Sequence, residues 1–155
     1  MRYLVAVLIG LSFLSITVLE KAGETISEDS VLVCVTDKWD EKEPEKGHKL
    51  ADATQRCILV PREAGAGEKI AEDCVGKYEY MPDGSWTGSG TCTDKRKDGT
   101  LNVSWEEGSA LNEYTYKITG GTGKYEGATG GGTYTYDNLT DTLVAGYDKG
   151  TINLP

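Results

Sequence analysis

Three carboxylates, Glu79, Glu106 and Glu113, stand in alternating segments with Lys77 and Lys117 among them. Enclosed together, such groups could act as general acid and general base. Their spacing gives a plainer reading, because each lies on the face opposite a row of aromatic or apolar residues. They are therefore expected on a solvated outer surface, paired across strands with the lysines. No nucleophile–base set accompanies them. His48 is the single histidine and sits in a polar stretch, so neither a Ser-His-Asp nor a Cys-His arrangement is available.

Aromatic residues make the second candidate set: Tyr78, Tyr80, Trp86, Trp105, Tyr114, Tyr116, Tyr134 and Tyr136. Successive members fall on one face of successive segments, so they point the same way once those segments pair. They could fill a core, since aromatics bury large areas. They could instead line a pocket for a flat or apolar ligand, and eight rings rich in phenol hydroxyls favour some wetness, because a buried hydroxyl needs a hydrogen-bond partner. Both readings stand at this point.

The stretch from Thr119 to Thr133 is dense in glycine but carries no nucleotide motif. Counting back from Gly123-Lys124, the first glycine of a phosphate loop would fall at Ile118, and Tyr125 stands where Ser or Thr must bind magnesium. The dinucleotide pattern fails on its spacing, and the residues that follow, Thr133 to Tyr136, read as strand. Gly120, Gly121, Gly123 and Gly127 are thus expected to serve a structural turn that needs positive φ or close packing. No cofactor motif is present. The acidic run Asp37, Asp40, Glu41, Glu43 and Glu45 lacks the spacing of a calcium loop and reads as a solvated loop over Asp37 to Gly47.

Compartment follows from the N-terminus and the cysteines. Met1-Arg2 precedes an apolar run from Tyr3 to Leu19, the pattern of a secretory signal peptide over residues 1–22. The cleavage site is not well marked, and an uncleaved anchor is the alternative, although roughly 17 residues is short for a span. Residues 23–155 then form a single domain outside the cytoplasm, secreted or periplasmic. An even set of four cysteines, Cys34, Cys57, Cys74 and Cys92, reads in that compartment as two disulfides with three possible connectivities. With no C-x-x-C pair and one histidine, no metal site is expected. The net charge is −9, from 25 acids against 16 bases. It repels phosphate backbones and anionic bilayers, so neither nucleic acid nor a membrane beyond the leader is an expected partner.

The elements that would position these groups are short alternating strands separated by Gly, Pro, Asp and Asn clusters; no segment keeps a helical apolar period. Strand candidates are Val31 to Thr36, Thr54 to Val60, Cys74 to Tyr80, Trp86 to Thr93, Leu101 to Glu106, Glu113 to Ile118, Thr133 to Asp137 and Thr142 to Leu154, with a long loop from Arg62 to Asp73. Eight strands in meander order close readily into an all-β antiparallel up-and-down barrel, lipocalin-like in form and stabilised by disulfides, whose interior holds side chains or one small ligand. A sandwich is the other architecture such spacing allows. Gly88 and Gly90, inside one strand, favour the barrel because glycine permits sharp coiling.

The string Ile118-Thr-Gly-Gly-Thr-Gly-Lys-Tyr-Glu-Gly-Ala-Thr-Gly130 resembles the Gly-Gly-Thr-Gly-Lys-aromatic-x-Gly-Ala turn of the allene oxide cyclase and dirigent β-barrels, and of small exported bacterial proteins with similar strings. The resemblance implies an eight-stranded barrel with an apolar cavity. It implies a structural role for the turn, transfers no catalytic residue to this chain, and the four cysteines depart from the usual pattern. Three functions remain in view: a non-catalytic exported barrel that binds a small apolar or aromatic ligand or has a structural role outside the cytoplasm, an isomerase or cyclase of the allene-oxide-cyclase type, and a secreted interaction or inhibitor protein acting through Asp37–Gly47 and Pro61–Asp73. Residues alone do not decide whether the chain is an enzyme, nor its oligomeric state.

Overall fold

The computed structural model describes residues 23–63, 65 and 67–155; the expected signal peptide over 1–22 lies outside them. Eight antiparallel strands follow one another around a closed barrel: β1 (Thr25–Glu45), β2 (His48–Pro61), β3 (Ile70–Tyr80), β4 (Trp86–Arg96), β5 (Gly99–Gly108), β6 (Tyr114–Gly123), β7 (Thr129–Asn138) and β8 (Leu143–Asn153). Each strand pairs with its sequence neighbour, and β8 closes on β1 from Thr25↔Asn153 to Val35↔Leu143. Closure is what removes the edges that a sandwich of these strands would expose. No helix among the described residues is long and apolar enough to cross a membrane.

The period-two pattern sets the inside. Leu32 and Cys34 of β1, Ala51, Ala53, Cys57 and Leu59 of β2, and Leu101, Val103 and Trp105 of β5 are all buried. Cys34 lies directly opposite Cys57, and Cys74 directly opposite Cys92. These pairs form the two disulfides, with Cα atoms 4.0 and 4.1 Å apart. Of the three connectivities open in the sequence, this one staples β1 to β2 and β3 to β4, closing loops that each contribute roughly 3 kcal/mol in a chain-entropy account.

Glycine in the walls makes room for rings. A Cβ on Gly76 would come within 2.5 Å of the Trp105 indole, and one on Gly90 would collide with the same ring. The indole thus lies flat against β3 and β4 where any larger residue would displace it. Gly88 does the same for Tyr78, 2.7 Å from the position a Cβ would take.

Asp37 to Gly47 is not a loop. β1 runs on to Glu45 and pairs with β2 back to His48, so the segment is the outward half of a long hairpin that turns at Lys46-Gly47. Its charges are carried by pairing across and along the strands, as between Lys49 and Glu41 at 2.7 Å, rather than by lack of structure. A register shift between Thr36 and Lys38 marks a β-bulge. Such a bulge exchanges the two faces of a strand, and it sets Trp39 opposite the inward-facing Ala53. The long connection after β2 is also shorter than expected, since β3 begins at Ile70.

The glycine-rich turn after β6 closes one end of the barrel. Gly120, Gly123 and Gly127 have φ of 132°, 61° and 74°. Gly121 does not, and its constraint is steric: a Cβ there would meet the Thr100 carbonyl and the Tyr125 backbone. Tyr125 N donates to Thr122 O at 3.1 Å and Ala128 N to Tyr125 O at 3.1 Å. This coil buries Tyr125 and Ala128 at this end, in the core cluster that holds Leu101, Ile152 and Leu154. The aromatic and the alanine of the quoted string are therefore a plug.

Candidate functional site

The barrel interior holds a cavity of about 80 Å³ whose lining runs from the aromatic to the acidic residues of the inner face. That is room for a one-ring molecule or a few waters rather than a drug-sized or lipid ligand.

At the unplugged end the aromatic residues form a connected belt. Trp39 lies 5.0 Å from Tyr78, which lies 5.8 Å from Trp105 and 6.4 Å from Trp86. Trp86 in turn neighbours Tyr80 at 6.2 Å and Tyr114 at 6.1 Å, and Tyr114 is 5.4 Å from both Tyr134 and Tyr136. All eight aromatic residues singled out in the sequence sit on the inner side. Tyr78, Trp105, Tyr116, Tyr134 and Tyr136 line the cavity itself, while Tyr80, Trp86 and Tyr114 build its rim. Trp39, hidden by the bulge from any reading by strict alternation, completes that rim from the hairpin.

Glu79, Glu106 and Glu113 are exposed, as their spacing indicates, and Glu79 meets His48 at 2.8 Å. The interior has carboxylates of its own that the sequence reading did not single out: Glu28, Glu72, Asp94, Glu107 and Asp148 all line the cavity. Their parity was visible. Glu72 precedes Cys74, Gly76 and Tyr78 by steps of two, Asp94 follows Cys92, and Glu107 follows Leu101, Val103 and Trp105. The expectation that charge faces water hid them.

Glu107 belongs to the aromatic end. It is 5% exposed, and Tyr136 Oη donates to its Oε2 at 2.8 Å. Burial raises its carboxyl above the ordinary range, and hydrogen bonding by tyrosine hydroxyls, Tyr136 foremost, pulls it part of the way back. The same burial, reinforced by the Glu107 charge, raises the hydroxyls of Tyr78, Tyr134 and Tyr136. They remain donors across the physiological range.

The other four acids gather toward the plug around a single cation. Arg96 Nη1 donates to Glu28 at 2.7 Å, while its Nη2 and Nε donate to Asp94 Oδ2 at 2.7 and 3.2 Å. Its ring-stacking partner is Tyr125, 5.3 Å away in the plug. Glu72 stands directly opposite Asp94 across β3 and β4, and Asp148 directly opposite Ser30 across β8 and β1. Burial and then the neighbouring Asp94 charge raise the Glu72 carboxyl well above its usual range. Burial, followed by the charges of Glu28 and Asp94, pushes Asp148 up to about 7. Tyr116 reaches this end through the space left by Gly150, whose Cβ would overlap the phenol. Asp94 Oδ1 and Asp148 Oδ1 are buried and have no hydrogen-bond partner.

Among the described residues, Cys57, Glu72 and Cys74 are the three ligand-type groups that come within 4.8 Å of one another. Both cysteines are spent in disulfides with Cys34 and Cys92, so the trio has no thiolate to offer a metal.

No family model matches the chain, and no curated protein matches it. Solved structures do. A pterocarpan synthase dirigent protein superposes with a TM-score of 0.57 at 14% identity, over 93% of this chain and 98% of that one. A protein of unknown function from the DUF3224 family of Shewanella oneidensis gives 0.53 at 12% identity, over 81% and 96%. A second pterocarpan synthase dirigent protein gives 0.50 at 10% identity, over 86% and 96%. At such identities the likeness is one of fold, and the fold is the dirigent-like eight-stranded barrel implied by the turn string.

Proposed function

We propose that this protein is an exported barrel that binds a small apolar or aromatic molecule of about one ring inside its cavity. The observation that supports it best is the aromatic belt around an unfilled interior: a barrel meant only as a packed core would close its rings on one another, leaving no space of about 80 Å³. Two disulfides in the cavity wall fit an oxidising compartment, and they support the export expected from the leader. Native mass spectrometry of protein from its own host, backed by titration of tryptophan fluorescence with one-ring compounds, tests the reading. Saturable quenching is the expected result, because Trp105 lines the cavity. A bare mass and no response to any ring compound would overturn it.

A second reading, an isomerase or cyclase, draws support from one observation: the cavity holds carboxylates whose pKa values are raised by burial, Glu72 well above its usual range and Asp148 to about 7. An acid that stays protonated near pH 7, beside tyrosine donors in a site that excludes water, can give a proton to developing negative charge. Some barrels of this fold are named as synthases. Turnover of a bound ring compound, abolished in Asp148→Asn with binding retained, is the outcome this reading requires.

A further inference from the structure

We propose that the plugged end of the cavity is a receptor for a protonated amine carried on a small aromatic or apolar body. This rests on the reading that the interior takes a one-ring ligand and names the class of ligand. Asp94 and Asp148 are 3% and 6% exposed, both line the cavity, and each presents an Oδ1 with no partner. Those two oxygens call for donors, because a buried acceptor left unpaired is costly. Within the protein, Tyr116 hydrogen-bonds Asp148 and the raised Glu72 carboxyl hydrogen-bonds Asp94, and neither brings a positive charge. Arg96 is the cation of this end, and its fork is already engaged by Glu28 and by the other oxygen of Asp94. Four carboxylates therefore face one guanidinium, and the deficit is in positive charge and N–H groups together.

Spacing selects among cations. The carboxylates of this end do not form a set of three within 4.8 Å, so they are spread too widely to wrap one metal ion in a shell of oxygens. An ammonium group, with up to three donors in separate directions, suits acceptors on different strands. The carbon body of such a ligand lies along the cavity toward Trp105, Tyr134 and Tyr136, whose ring faces attract a cation and pack a second ring. A neutral apolar guest would satisfy the rings and leave both oxygens bare.

The test is fluorescence or calorimetric titration at pH 8 with 2-phenylethylamine and its neutral counterpart 2-phenylethanol. The intact protein is compared with Asp148→Asn and with Glu106→Gln on the outer surface. The amine is expected to bind about tenfold or more tightly than the alcohol, as charge-assisted hydrogen bonds require. Asp148→Asn should remove most of that preference while keeping alcohol affinity, and Glu106→Gln should leave the preference intact. Equal or tighter binding of the alcohol to the intact protein overturns the amine site but keeps the one-ring ligand. Equal losses in both variants overturn it too, since the attraction would then be the overall negative charge. Binding of neither compound overturns both readings. If Asp148→Asn fails to fold, the amine-to-alcohol ratio in the intact protein, with Glu106→Gln as control, decides.

Discussion

Glu107 and Asp148 are buried carboxylates in the same barrel interior, and the two ends treat them differently. Around Glu107 the aromatic end supplies donors: the Tyr136 hydroxyl is 2.8 Å away, and its raised pKa keeps it protonated. Asp148 has Tyr116 near it but keeps one oxygen with no partner, while Glu28, Asp94 and Glu72 crowd the same end with only Arg96 in return. Both groups pay for burial, yet Glu107 is settled within the fold and Asp148 is left partly unmet. A satisfied buried acid stabilises the fold around it, whereas an unsatisfied one is a cost the fold carries.

Removing the one cation should break this contrast most forcefully. Arg96→Ala leaves Glu28 and Asp94 buried without their partner, and a broken buried pair typically costs about 3–5 kcal/mol. Urea unfolding at pH 7 would measure it. A loss below about 1 kcal/mol would mean that the acids there are already neutral and that Arg96 does not hold them.

The next largest effect has the opposite sign. Asp148 has its ordinary value near 3.8 raised to about 7 by burial. The folded protein therefore binds a proton that the unfolded chain releases between those values, and stability falls as pH rises from about 4 to about 7. Glu28, Glu72, Asp94, Arg96 and Tyr116 face the same space and shape the field around it. Asp148→Asn removes the penalty, so it should stabilise the protein at pH 8 by at most about 4 kcal/mol and do little at pH 4. Melting temperatures across that range check the sign. Equal shifts at both pH values would show that Asp148 titrates normally.

Tyr136→Phe sharpens the other side of the comparison and should act least. It removes one hydrogen bond to a buried carboxylate, worth about 1.5–3 kcal/mol, and should lift the Glu107 carboxyl further. Chemical denaturation together with a carbon-detected carboxyl titration would read both changes. If neither moves, Tyr78 and Tyr134 already satisfy Glu107 between them.

Much of this was legible in the residues. Alternation placed all eight aromatic side chains on one face, and turn chemistry separated eight strands, because both signals are local and have a period of two. Trp39 escaped because one bulge reverses the faces of β1, and its surroundings of Lys, Asp and Glu look like loop until the facing strand of the hairpin is known. The interior acids escaped for a different reason. Their parity was plain, but the rule that charge faces water overrode it, and that rule fails where Arg96 and tyrosine hydroxyls supply partners from distant strands. Glycine told part of its story: Gly90 was expected to help the sheet coil, while its neighbours show that it also clears a seat for Trp105.

The Tyr125 plug gives the barrel a direction. A guest of the kind proposed above would then enter by the aromatic rim, head first, and back out the same way. Its leading group would be the one inspected in the depths, and its trailing substituents would stand beneath the Trp39 arm. Selection would be divided along the tube: the depths choose the head group, the rim judges the tail, and a guest of the wrong length betrays itself by how far it protrudes.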